Sequence, residues 1–312
     1  MNRPLLILCL LFAACTRVSD KIEPRVSYQI QERHFSRLQS AFTSLTPDER
    51  ATDWGREMAI ASAFAQSLDL YRAVSTYKRA EILIPPDLSR KQEIEYDILL
   101  CYYLGKRYDE AIESFEISTL AHADKAFPAY HDLLLVLLEC YRELEAPDKE
   151  QRIAELIEKT YPDTSEELKV SYSLRTGDLP GLLALNSDLP HPSYLDPMLA
   201  CYAKEHKSVG KAQALNALLP GAGYLYIGQK KSAATAFLLN GLFIAAAYQF
   251  FHRGHIAAGI ITTTFEAGWY FGGIYGAGEE AKYYNERIYE YNATQVLNEH
   301  SLFPVLMLRH AF

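Results

Sequence analysis

From Trp54 to Leu219, apolar residues recur at three- and four-residue intervals, the spacing of one helix face, in blocks separated by short polar turns. In WGREMAIASAFAQSLDLYRAVSTYKRAEILIP, Ala61 and Phe64 fall on one helix and Ala73, Tyr77 and Ala80 on the next, closed by Pro85. The following block carries Tyr102, Gly105, Tyr108, Ala111 and Phe115, and its Ala111 and Phe115 each stand 38 residues after Ala73 and Tyr77. A third, FPAYHDLLLVLLECYRELEAPDKEQRIAELIEKTYP, predicts another helix pair closed by Pro162, with Glu150 at the alanine position. Shorter pairs are read over 166–185 and 194–219.

The pattern changes at LLPGAGYLYIGQKK, residues 218–231. Proline blocks helical continuation and glycine accepts a left-handed cap, so Pro220, Gly221 and Gly223 end the last repeat helix. Ser232 to Phe251 then carries no charge, about 30 Å if helical, the thickness of a hydrocarbon core. After His252-Arg253-Gly254-His255, Ile256 to Gly278 has Glu266 as its single charge before Glu279 and Glu280. Two apolar segments joined by a short polar turn predict an antiparallel helical hairpin, either embedded in a bilayer or buried as a cap on the repeats. Beyond it, Tyr284, Ile288 and Tyr291 predict an amphipathic helix, and LFPVLMLRHAF reads as a packing tail.

The alanine and aromatic positions of the first blocks resemble the tetratricopeptide repeat, well over residues 50–165 and weakly to 219. That resemblance implies an all-α solenoid whose concave surface holds a protein partner, since a lone helix pair cannot bury its apolar face. The run Pro220 to Gly228 is similar to the P-G-x-G-x-x-Y-x-G entry of small bacterial two-helix membrane modules, which implies a membrane location rather than a reaction. MNRPLLILCLLFAAC, with one arginine, an apolar run and small residues, resembles a bacterial lipoprotein signal, which implies lipidation at Cys15. The expected organisation is a signal over 1–15, repeats over 26–219, the apolar hairpin over 220–278, and the amphipathic helix with its tail over 279–312.

Composition narrows the function. The 312 residues are 49% hydrophobic and 22% charged with a net charge of −8, which suits a folded protein and leaves no broad basic field for nucleic acid. Cys101, Cys140 and Cys201 each stand before a tyrosine and after a leucine-rich turn, in LLCYY, LECYR and LACYA, at equivalent repeat positions too far apart for disulfides, and read as buried thiols. No phosphate loop, metal motif or nucleophile elbow occurs, so neither enzyme nor cofactor is expected.

The candidate site residues therefore lie in the hairpin. Tyr224, Tyr226, Lys230 and Lys231 suit the headgroup layer. Gly268, Gly272 and Gly276, four apart, suit close helix packing and self-association. Asn240 and Glu266 each stand thirteen residues from Arg253, which predicts a hydrogen-bonded polar pair at one depth. The expected protein is a non-enzymatic envelope scaffold, its repeats periplasmic and its hairpin in contact with membrane lipid; the alternative is an accessory to membrane-protein insertion or transport. A periplasmic repeat domain would leave Arg253 alone in the inner loop, against the usual positive-inside bias; an uncleaved N-terminus, a cytoplasmic solenoid or an outer-membrane hairpin would each resolve this.

Overall fold

The computed structural model describes residues 17–28, 32–35, 37–85, 89–188 and 194–312, and Cys15 with the rest of the expected signal lies outside them. The described chain is all-helical apart from an isolated parallel bridge between Ser40 and Ala311. It divides into two compact units, Ser27–Leu174 with Leu297–Phe312, and Arg175–Val296 with the described residues up to Val26.

The first unit is a series of helix pairs: α1 (Asp53–Gln66) with α2 (Leu70–Leu83), α3 (Arg90–Leu104) with α4 (Tyr108–Ile117), and α5 (Tyr130–Glu143) with α6 (Pro147–Thr160), followed by α7 (Pro162–Thr176). One turn closes each pair. Leu68, Lys106 and Glu145 take left-handed conformations, φ 55°, 56° and 53°. The next residue donates its N–H to a carbonyl five positions back in all three: Asp69 to Phe64, Arg107 to Tyr102 and Ala146 to Tyr141, each at 2.9 Å. This is the six-to-one closure of a Schellman motif. The same closure joins the two helices of all three pairs, and the packing of each helix on its neighbour in the chain is that of a helical repeat. Ala73, Tyr77, Ala80 and Ala111 are buried where the second helix of a pair meets the first, as expected.

Burial is uneven between partners. Every residue from Glu93 to Leu104 on α3 and from Tyr130 to Tyr141 on α5 is buried, whereas α4 and α6 bury one or two positions each. Part of what surrounds α3 and α5 comes from the ends of this unit. Arg90 donates to the Thr43 and Ser44 carbonyls and to the Glu49 and Glu93 carboxylates, fastening segment 43–49 to α3. Phe42, Tyr96 and Phe127 form an aromatic cluster with centroids 5.6–6.0 Å apart. Cys101 and Cys140 are buried free thiols, and burial pushes the Cys140 thiol up to about 12.

The second unit holds α8 (Leu179–Asp188), α9 (Leu195–Glu205), α10 (Val209–Leu218), the short α11 (Ala222–Tyr226), α12 (Lys230–His252) and α13 (Ile256–Glu299). The expected break at Gly278 does not occur. α13 runs 44 residues without interruption. Gly278 is buried against the Gln213 side chain, so its lack of a side chain serves packing rather than termination. The amphipathic stripe also differs from expectation. Ala277, Ala281, Asn285, Tyr289 and Ala293, four apart, are buried, while Tyr291 is 72% exposed. Asn285 belongs to that stripe because its amide exchanges two hydrogen bonds with the Lys207 backbone, both 2.8 Å, satisfying the chain just beyond α9. Tyr289 packs edge-to-face on Tyr202 at 5.5 Å.

Candidate membrane-attachment site

Residues 220–228 have a physical reason at each patterned position. Leu219 is extended ahead of Pro220, which cannot extend α10. Gly221 takes φ 93°, and its N–H donates to Asn216 Oδ1 at 2.8 Å; a side chain there would also collide with the Ala233 carbonyl. Gly223 lies where α10 and α13 close in, since a Cβ would fall 2.9 Å from that of Ala277. The Tyr226 hydroxyl accepts the Ser208 N–H at 3.3 Å while Lys207 and Lys211 lie over its ring at 5.3 and 4.9 Å. Gly228 takes φ 87° and restarts the chain as α12. The glycine-rich stretch is therefore a one-turn helix between two left-handed glycines.

The four residues expected at a headgroup layer separate into two pairs. Tyr224 and Tyr226 are half-buried and pack on a core of Val18, Val209, Ala212, Ile227 and Ala281. Lys230 and Lys231 are exposed and form no ion pair among the described residues.

α12 is the one helix among the described residues long and apolar enough to cross a membrane. Of its 23 residues, Ala233, Asn240 and Ala247 alone are buried. Phe237, Leu238, Leu242, Ile244, Tyr248 and Phe251 stand in solvent, Leu238 at 67% exposure. The first half of α13 does not meet the same standard of apolarity, being diluted by three threonines, glycines and Glu266, yet Ile256, Ile260, Ile261, Phe265 and Trp269 are exposed too. An apolar surface of this extent is far from the scattered single residues normal on a soluble monomer.

α12 and α13 are linked through Arg253–His255, with Gly254 at φ 75° and His255 N–H donating to the Phe250 carbonyl at 2.8 Å, the closure already seen in the repeats. Gln229 donates to Glu280, and this contact sets the register between the helices. The expected hydrogen bond between Asn240 and Glu266 is not made. Asn240 Nδ2 donates to the Ala236 carbonyl at 2.6 Å, while Asn240 Oδ1 and both Glu266 carboxylate oxygens are shielded from solvent with no hydrogen-bond partner. Counting eleven residues on from Gln229 reaches Asn240, and eleven back from Glu280 reaches Trp269, so the residue level with Asn240 is Trp269. Equal distance from Arg253 misplaced the pairing by about one helical turn.

The glycine stripe also divides. Gly268 and Gly272 are exposed and have nothing within 4 Å of where a Cβ would stand, whereas Gly276 makes room for the Tyr224 hydroxyl. A cleft of about 710 Å³ runs between the helices over Gly268, Gly272 and Gly276, with Asn240 and Trp269 toward one end and Lys231, Glu279 and Glu280 at the other.

A second cluster, in the repeat unit, was not foreseen from sequence. Asp132 on α5 is fully buried and accepts the N–H groups of Arg309 and His310, at 3.0 and 2.9 Å, and the His310 ring at 3.1 Å. Its other oxygen is 2.8 Å from His131 Nδ1, and His131 Nε2 lies 3.1 Å from Thr164 Oγ1. Hydroxyl, imidazole and carboxylate in series have the composition of a nucleophilic triad, but the carboxylate is spent on backbone amides and His131 and Thr164 are both buried. The cluster fastens the closing segment of the chain to α5. Among the described residues, no group of three or more His, Cys, Asp and Glu side chains is placed to hold a metal.

No protein-family model, curated protein or solved structure matches the chain.

Proposed function

We propose that this protein is a non-enzymatic scaffold that is attached to a membrane through α12 and the first half of α13 and holds a protein partner on its helical repeats. The observation that carries the reading is α12, a 23-residue apolar helix with three buried positions. Phe237, Leu238, Leu242 and Ile244 are 54–67% exposed, so each forfeits somewhat over half of the roughly 1.5–3 kcal/mol that full burial gives, and lipid removes that cost. α12 would span about 35 Å, enough for a hydrocarbon core, and α13 would return beside it as an antiparallel hairpin. Lys230 and Lys231 mark one end of α12, and Arg253 with its neighbouring histidines the other, at the levels where cations reach headgroups. α13 then emerges as the amphipathic half that packs on α9 and on the start of α10, while the C-terminal end of α10 stays beside Tyr270 and Gly273 of the first half.

Partner binding falls to the repeat unit because tandem helix pairs present an extended side-chain surface. Lipidation of Cys15 and an envelope location, with the repeats periplasmic, complete the reading. The test is fractionation of cells producing the full chain, followed by chemical crosslinking. The protein should remain with membranes through high-salt and alkaline washes and crosslink to one stable protein partner. Release of the intact chain into the soluble fraction would refute attachment, and crosslinks solely to newly made membrane proteins would refute the scaffold role.

A further inference from the structure

The face of α12 and α13 that opens on the cleft carries three features at three levels, each incomplete within one chain. At the first level, Lys231 makes no ion pair among the described residues although Glu279 lies along the same cleft. At the second, Gly272 leaves space over the α13 backbone with nothing within 4 Å of its Cβ position. At the third, Asn240 Oδ1 is an acceptor without a donor on a side chain 4% exposed, and a buried acceptor left unmade is a standing cost. Level with it, the Trp269 ring is 49% exposed, and its indole N–H has no acceptor among the described residues.

We infer that this face binds a second copy of the chain about a two-fold axis parallel to α12, with the Trp269 indole of each copy donating to Asn240 of the other. Such an axis keeps every residue at its own level, so each copy supplies what the other lacks. Lys231 meets Glu279, the open Gly268 and Gly272 surfaces face each other so that the α13 backbones approach, and the indole enters the cleft that Asn240 lines, which must widen to admit it because Oδ1 is shielded within one chain. An isologous contact needs a self-complementary patch, and a patch with both charges, a donor, an acceptor and a small-residue floor meets that requirement. Gly276 is excluded from the contact because Tyr224 of the same chain already fills the space above it. The inference rests on the membrane reading for the direction of the axis, while association is measured separately from membrane binding.

The test uses full-length chains carrying donor or acceptor fluorophores, mixed in lipid vesicles over a range of protein-to-lipid ratios. Energy transfer should rise with density for the wild type. Gly272→Leu should weaken association by more than roughly tenfold, and Trp269→Phe, which keeps the ring and loses the donor, by roughly three- to tenfold. Asn240→Leu should add little to Trp269→Phe, because the two remove one shared bond. The decisive arm is charge reversal: Lys231→Glu and Glu279→Lys should each weaken self-association, and an equal mixture of the two variants should restore it. This arm holds even if Gly272→Leu fails to fold. A wild type that stays monomeric at every density, or a mixture no better than either variant alone, overturns the inference. A monomer that floats with vesicles leaves membrane attachment standing, and a dimer that does not float leaves the dimer standing and removes the attachment.

Discussion

The Asp132 carboxylate accepts the backbone N–H of His310 at 2.9 Å and its ring nitrogen at 3.1 Å, two bonds from one residue far along the chain. With the Arg309 N–H and His131 added, a fully buried acid is satisfied entirely by polar hydrogens of the same unit. The segment it holds buries Leu302, Phe303, Val305 and Leu308, and its far end reaches Gln39 through the Ala311 N–H and Gln66 through the Phe312 carbonyl. Surface of the repeats that an open solenoid would offer to a partner is thus taken by the chain itself at α5.

Asp132→Ala should therefore release the closing segment. It removes the acceptor of two backbone N–H groups and one ring nitrogen, and a loss of roughly 2–4 kcal/mol is expected. Hydrogen exchange of residues 302–312 should quicken ahead of α3 and α5, whereas Asp132→Asn, which keeps one acceptor, should fall between. Unchanged protection of that segment in the alanine variant would contradict the clamp.

Asp97 gives the clearest dependence on pH. Burial, then the neighbouring Glu93 carboxylate, holds its carboxyl well above the ordinary range, so the folded state retains a proton that the unfolded chain gives up. Its contribution to stability is complete below the unfolded value near 3.8 and declines as pH rises through the folded value. Asp97→Asn removes that decline. Denaturant titrations between pH 4 and pH 8 should show the variant gaining on the wild type as pH rises; parallel curves would show that Asp97 does not titrate on unfolding.

The two left-handed glycines separate strain from collision. Gly228→Ala meets open space, so its cost is the left-handed conformation, roughly 1–2 kcal/mol. Gly221→Ala adds an overlap with the Ala233 carbonyl and should cost distinctly more. Thermal unfolding midpoints in one detergent should rank wild type, Gly228→Ala, Gly221→Ala in falling order, and a reversed order of the two variants would contradict the geometry.

Lipidation is tested at Cys15. Cys15→Ala should leave an unprocessed precursor without acyl label, read by gel mobility and metabolic labelling, and normal processing of that variant would refute the lipoprotein reading.

Several of these features were visible in the sequence because they are periodic. Ala73 and Ala111, and the buried Tyr77 with its counterpart Phe115, announced the repeat through a 38-residue spacing. The turns that close the repeats were not legible, since Leu68, Lys106 and Glu145 are residues that do not advertise a left-handed conformation. Pro220 and Gly221 marked a break correctly, yet the role of Gly223 depends on Ala277, far along the chain, and could be learnt from the fold alone. The same limit explains the polar pair. Asn240 and Glu266 are symmetric about Arg253, but the register is set by Gln229 on Glu280. The α13 stripe was misassigned because Asn285, polar by type, occupies a buried position through its bonds to the Lys207 backbone. Asp132 gave no signal, because two of its four partners are backbone amides and a third, the His310 ring, lies far along the chain.

Membrane attachment through α12 is the central claim, and one engineered tryptophan tests it most directly. Leu238 is 67% exposed on α12, and Trp54 and Trp269 are the protein's two tryptophans. With both changed to phenylalanine and Leu238→Trp added, all emission comes from the α12 surface. Vesicles of phospholipid brominated along the acyl chains should quench that emission strongly relative to unbrominated vesicles, with the spectrum shifted to the blue. Equal intensity in the two kinds of vesicle, with emission at the wavelength of a water-exposed indole, would contradict the account.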